Sequence, residues 1–498
     1  MSIMRTKSLN ELLDDTSAEH HRLKKTLKAV DLVAIGIGCI IGVGIFVLPG
    51  VEAATHAGPA IILSFAIAAL ACGCSALCYA ELAAMIPVAG SAYTYGYATL
   101  GEIFAWIIGW DLILEYMVGA SLVSIGWSAY FVNLVNNTLG PFGLAIPSVL
   151  TTPPFVDKTF IHFPAFTGVL APIGLNLPQV LREAPWSAQP GILNLPAVII
   201  VAIITWLLVL GIRESARVNL IIVAIKMAVL LVFIGVAVWY VDPANWQPFM
   251  PFGFGGVVTA AAIVFLAYVG FDAVSTTAEE AVNPQRDMPI GILGSLFIAT
   301  FFYMVVAAIM TGVVSYKLLN VADPVALVLN VLQKPWASAL VSVGAMAGIT
   351  SVLLVLLMGQ PRILFSMSRD RLLPAFLSRV HPRYRTPHLT TIFTGAVVAV
   401  AAALLPITIV AELCSIGTLF AFIIVCAGVI VLRYTRKEIH RPFKVPLFPY
   451  LPALGILLCG YLMISLPWMT WIRFLLWLLL GLLIYWLYSY RHSLISKR

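Results

Sequence analysis

Apolar stretches of roughly twenty residues recur along almost the whole chain, and that is the length an α-helix needs to cross about 30 Å of hydrocarbon. Twelve such windows can be read between Asp31 and Tyr488, centred near positions 42, 73, 117, 204, 228, 267, 302, 350, 397, 420, 458 and 479. The runs are continuous, not alternating. Helices are therefore expected instead of barrel strands, because a helix satisfies its backbone hydrogen bonds within one segment. Only 10% of the 498 residues are charged and 61% are hydrophobic, against about 25% charged in a soluble globular domain. The expected fold class is an all-α polytopic membrane protein with 12 transmembrane helices and the lipid bilayer as its surroundings.

The first thirty residues are polar and charged, with no apolar core of a signal peptide, so the amino terminus is expected to stay in the cytoplasm. Lys and Arg agree with that side. Lys24, Lys25, Arg213, Arg217, Arg369, Arg371, Arg433 and Arg436 fall in loops on the amino-terminal side, whereas Lys158, Arg182, Lys317, Lys334 and Arg473 are spread over the other. Both termini are then cytoplasmic in an inner or plasma membrane. The net charge of +7 is accounted for by topology, and no nucleic-acid partner is expected. All seven cysteines lie inside apolar windows with no CxxC pair, so neither disulfides nor a metal site is expected, and no cofactor motif is present. The segment 136–194, rich in Pro and Gly, reads as an irregular external loop.

Within the first window the sequence IGIGCIIGVGIF, residues 35–46, places Gly36, Gly38, Gly42 and Gly44 where a helix should be strongest. Unwinding at membrane depth is tolerable only where the freed backbone lines a protein cavity. There the amides of Gly42, Val43 and Gly44 would open a half-helix facing an anion, and carbonyls near Gly38, Cys39 and Ile40 would face a cation. Close helix packing through small residues would give the same pattern. A second interruption, at Gly270 in VFLAYVGFDAVSTTAEE, lies five helices later. That spacing is what an inverted five-plus-five repeat produces, with a site at the midplane. It divides the chain into a cytoplasmic segment 1–28, a first repeat 29–241, a second repeat 254–433, two extra helices over 450–490 and a tail 491–498.

Three motifs carry a resemblance: GIGCIIGVGIFVLPG; GPAIILSF with CYAELAAMIPVAGSAYTYGYATLGE; and FLAYVGFDAVSTTAEEAVNPQRDMPIGI. Together, over about Leu23 to Tyr490, the chain resembles the amino acid, polyamine and organocation transporter superfamily, and within it the cationic amino acid transporter family and its bacterial members. The resemblance implies a LeuT-type fold with helices 1 and 6 broken, working by alternating access on an L-amino acid. It implies that the substrate carboxylate meets Gly42, Val43 and Gly44, and the amine meets carbonyls of Ile40, Leu266, Ala267 and Val269. Tyr268 and Phe271 become candidate aromatic gates, although lone aromatics in a membrane helix also serve as packing. Bacterial members often read G-T-G where this chain has Gly42, Val43 and Gly44, so a hydroxyl contact is absent here.

Ionisable residues inside the windows are the remaining signals, since each costs about 2.5 to 3.5 kcal/mol at the bilayer centre on insertion scales. Asp111 and Glu115 stand four apart on one helical face, and Glu115 is the deeper, a candidate for the site. Glu279, Glu280, Asn283, Pro284, Arg286 and Asp287 read as a solvated inner turn. Lys226, in NLIIVAIKMAVLLVF, lies about 15 Å along its helix, too deep to reach an interface easily. Burial disfavours its charged form, which makes it a candidate proton carrier. The resemblance adds that a lysine here takes the place of a sodium ion beside the unwound first helix. A structural lysine tied to carbonyls is the competing reading.

Leu356, in SVLLVLLMGQ, aligns with the site-facing stretch of helix eight and supplies bulk instead of charge, which points to small or medium neutral amino acids. Cationic substrates, suggested by the family name and by Glu115, are the alternative, as is exchange instead of proton symport. A channel would need a continuous polar pore, and an enzyme a nucleophile or metal cluster; neither HExxH nor GxSxG occurs. No catalytic role is expected.

Overall fold

The computed structural model describes residues 27–85, 93, 96–97, 101–139, 143, 145–154, 191–210, 216–275, 278, 281–321, 323–381 and 386–493. Among them the regular structure is helical throughout, with a single parallel bridge between Leu27 and Ala281. Seven helical stretches are long and apolar enough to cross a membrane, and five shorter apolar helices of 10–17 residues accompany them.

The first apolar window is broken. Helix α1 (Ala29–Ile40) starts where the Asp31 carboxylate accepts the Lys28 amide at 2.9 Å, satisfying a donor that the first turn leaves free. It stops because Ile41 turns extended (ψ 100°) and Gly42 adopts φ −156°, ψ −133°. A four-residue helix α2 (Val43–Phe46) restarts at once, and after a bend at Val47 it continues as α3 (Leu48–Glu52). Pro49, near the head of α3, has no amide to lose there.

Helices α4 (Ile61–Met85) and α5 (Glu102–Leu139) follow. Helix α5 runs past position 136, so the external loop begins later than its composition suggests. Residues 155–190, the bulk of that loop, lie outside the described residues, as do Arg213, Glu279, Glu280, Lys24 and Lys25. The chain returns through α6 (Leu195–Leu210) and α7 (Ala216–Ala237).

The second break has a different build. Helix α8 (Gly253–Val264) tightens into a 3-10 turn over Phe265–Tyr268, Val269 becomes extended (ψ 133°), and the chain restarts as α9 (Phe271–Ser275). Gly270 sits at φ +120°, a region open to glycine at no steric cost. Beyond it run α10 (Pro284–Val313), α11 (Pro324–Val331), α12 (Pro335–Arg369), α13 (His388–Leu404), α14 (Ile407–Thr435), α15 (Tyr450–Ile464) and α16 (Trp468–Ile484).

Packing places both breaks at the centre. Helix α5 lies against α12 and α14, α10 against α1 and α4, and α7 against α12 and α1. Leu476, Leu479 and Leu483 of α16 are more than half exposed, as expected of a helix whose solvent on that side is lipid.

Candidate functional site

The two breaks touch. A side chain on Gly44 would meet the Ala267 Cβ at 2.6 Å and its Cα at 2.7 Å, and one on Gly270 would meet the Cys39 carbonyl carbon at 2.9 Å. Only hydrogen fits at either crossing, which is why glycine occupies both despite its cost to a helix. The contact brings the head of α2 to the 3-10 turn of the second break. A small cavity of about 40 Å³ is left between them, room for roughly three or four waters at the ~10–15 Å³ one requires.

Ile40, Gly42, Val43, Gly44, Leu266, Ala267, Val269, Glu115 and Leu356 all line this cavity. Residues far apart in the chain are thus brought to one place. The amides of Val43 and Gly44 open a helix and have no acceptor within it, so they present donors at a positive helix end. On the opposite side lie the carbonyls of the tightened second break. Tyr268 is not among the residues that line the cavity and packs beside it. The 3-10 turn advances 120° per residue, not 100°, and its hydroxyl donates to the Phe65 carbonyl at 3.0 Å among Phe65 and Tyr303. Phe271 likewise packs on Tyr79 and Phe422.

Two side chains hold the freed carbonyls. The Tyr303 hydroxyl, from α10, lies 2.8 Å from the Ile40 carbonyl and 2.6 Å from the Ala267 carbonyl, and so ties the first break to the second. Lys226 is fully buried, and its Nζ donates to the carbonyls of Gly38 at 2.6 Å and Ile41 at 2.9 Å. Its aliphatic stem runs past Gly348, where a Cβ would come within 3.0 Å. The lysine thus occupies the groove beside the unwound turn, as a cation would.

Asp111 and Glu115 of α5 are both buried, and by geometry no oxygen of either has a hydrogen-bond partner among the described residues. Thr418, the hydroxyl beside Glu115, donates instead to the Cys414 carbonyl. Glu115 opens onto the cavity while Asp111 lies behind it against Gly417. The distal part of the cavity is apolar: Leu122, Val123, Val352, Val355 and Leu356, with Gly119 and Cys414.

Besides the apolar lining of the distal part, Tyr303 and Asp272 are site residues that reading the sequence missed. Asp272 lines the cavity and accepts the Gly270 amide at 3.1 Å, and an acid two residues after a helix-breaking glycine is a signal that could have found it. Tyr303 is one aromatic in a long apolar helix, and nothing local distinguishes it.

Comparison with known proteins agrees with this geometry. The amino acid permease family model matches residues 27–489. The chain is 48% identical over 498 residues to the branched-chain amino acid permease BcaP of Bacillus subtilis (strain 168), covering 100% of this chain and 99% of the relative. It is 43% identical over 496 residues to the methylthioribose transporter of the same organism, covering both chains in full. Against the vacuolar cationic amino acid transporter 4 of Arabidopsis thaliana it is 36% identical over 443 residues, 88% of this chain and 68% of the relative. A match over nearly the whole chain, on a helical membrane fold whose two broken helices meet at a cavity, leaves one assignment: the chain belongs to the amino acid permease family, within the amino acid, polyamine and organocation superfamily, and is a membrane transporter and not an enzyme.

Proposed function

We propose that the chain carries neutral amino acids with small to medium aliphatic side chains, in symport with protons, by alternating access of the central cavity. The observation that carries this reading is the pairing of opposite backbone polarities across an apolar cavity: free amides at the head of α2 and carbonyls at the second break. A zwitterion satisfies both at once. The amides of Gly42, Val43 and Gly44 take the carboxylate, and the carbonyls of Ile40, Leu266, Ala267 and Val269 take the ammonium. The side chain then points to Leu356, Val355 and Gly119. Methylthioribose, which one relative's name prints, has neither end group and would leave both backbone ends unused.

Supporting the wider architecture, the seven long and five shorter apolar helices fit 12 spans with the two breaks five helices apart. Both termini are then cytoplasmic, and α15 and α16 stand outside the repeat. Lys226 supplies the coupling: with a proton it braces α1 through Gly38 and Ile41, and without one it releases part of that grip. Glu115, unbonded at the cavity, is a contact for the ammonium or for a polar side chain. A cationic substrate would place its charge near Glu115, and this is the competing reading.

Competition binding separates the two. Isoleucine, leucine and valine should displace a bound neutral amino acid at least ten times more strongly than arginine, lysine or methylthioribose, since burying an unpaired charge in the apolar end costs several kcal/mol. Leu356→Ser, which removes apolar bulk and adds a hydroxyl, should narrow that margin. Stronger displacement by arginine in the unaltered protein would overturn the neutral reading.

A further inference from the structure

Asp323 lies outside the membrane-spanning helices, just before α11, yet it is only 4% exposed. It precedes Pro324, the first residue of α11, and its backbone carbonyl accepts the Leu327 amide at 3.0 Å. Its carboxylate accepts a hydrogen bond from the Asn133 side chain, at the far end of α5. One turn back on α5, Tyr130 lies beside Asp323 and the Val325 backbone, and its hydroxyl donates to the Phe46 carbonyl at 2.7 Å. Phe46 ends α2, where the bend at Val47 interrupts the helix. Gly50 of α3 completes the contact: a Cβ there would meet Pro324 at 2.3 Å. Loop helix, α5 and the outer half of the broken first helix are thus pinned at one point, above the wall where Val43 presses on Gly126.

We propose that Asp323 is a positioning residue that latches α11 and α5 over the outer half of the first broken helix, and that it must take up a proton for the latch to close. The inference rests on the alternating-access reading. Opening the outer side requires α2 and α3 to part from α5, and that movement hydrates Asp323. Closing buries it with Asn133, a neutral partner.

Helix α11 packs on α3, α7, α10 and α12. Tyr130 of α5 lies beside Asp323; the titratable groups at the adjoining ends of the other elements are Glu52, which is bonded to His56 at 2.8 Å, together with Tyr316, Lys317, Lys334 and Asp242. Asp323 itself responds to burial, its own backbone amide and Asn133: burial pushes the carboxyl up to about 7, with the two hydrogen bonds pulling the other way. A hydrated aspartate titrates near 3.9. The closed form therefore binds the proton more tightly, so acid favours closure. That advantage is present below about pH 4 and is lost as pH rises towards about 7.

Gate opening can be read without substrate or gradient. Val47→Cys, on the first broken helix and buried against Gly126, is labelled from outside intact cells with a membrane-impermeant thiol reagent at pH 5 to 8. Labelling is compared between the Asp323 and Asp323→Asn backgrounds at each pH, so that thiol ionisation cancels. The ratio should already exceed one at pH 5 and rise about tenfold or more further by pH 8, because Asn stays neutral and keeps the latch shut. A ratio independent of pH overturns the proposal. Should Asp323→Asn fail to reach the membrane, Asn133→Leu decides: losing the donor should move the labelling midpoint to higher pH, and an unmoved midpoint refutes the latch. In a Lys226→Met background the absolute labelling shifts with the lost brace, but the pH dependence of the ratio between Asp323 and Asp323→Asn must persist; its disappearance there would assign the pH response to the lysine.

Discussion

The two breaks are made of the same material, glycine in an apolar helix, and yet they are built in different ways. The first is abrupt: Ile41 and Gly42 leave helical geometry and α2 restarts immediately, exposing amides. The second is gradual, passing through a 3-10 turn and a positive-φ glycine. The carbonyls of the first break are gripped by a titratable group, Lys226. The Ala267 carbonyl of the second is held by Tyr303, a neutral hydroxyl donor. On the proposed function, the first break takes the carboxylate and carries the coupling, and the second supplies most of the carbonyls for the ammonium and a fixed wall.

The comparison breaks most visibly at Gly44. Gly44→Ala puts a methyl within 2.7 Å of backbone, so α2 must back away from the second break and the amides leave the carboxylate. Substrate binding, measured by thermal shift or scintillation proximity, should fall at least a hundredfold while the protein still reaches the membrane. Retained affinity would separate the amides from the substrate. A milder test is Tyr303→Phe, which strips the shared donor from Ile40 and Ala267. Leaving buried carbonyls without it costs about 1–3 kcal/mol, so the melting temperature should drop by several degrees. Binding should weaken less than tenfold, because the ammonium can take over those acceptors. A loss as large as that of Gly44→Ala would mean that the second break is not a passive wall.

The breaks, the buried lysine and the apolar distal pocket were legible in the sequence because each is a local departure from an apolar background: glycines at 42, 44 and 270, and a charge at 226. The packing of Tyr268 was not legible because its direction depends on a 3-10 turn, which no residue type in FLAY announces. Tyr303, Asn133 and Asp323 were illegible for another reason. Their meaning lies in partners 36 to 263 residues away along the chain, and a hydrogen bond of that range leaves no periodicity behind. Leu139, where α5 ends, also lay beyond reading, since helix ends shift by a few residues with tertiary contacts.

Coupling through the first break is tested most directly by Lys226→Met in proteoliposomes, with the inside near pH 8, the outside near pH 6, and a neutral amino acid as substrate. Methionine matches the lysine stem in length and apolarity, so the fold and substrate exchange at equal pH should survive. The unaltered protein should concentrate substrate with or without sodium and lose the gradient when a protonophore is added. The variant should reach equilibrium and go no further. Accumulation by Lys226→Met as strong as in the unaltered protein would place the proton elsewhere, and a strict sodium requirement in the unaltered protein would contradict proton coupling outright.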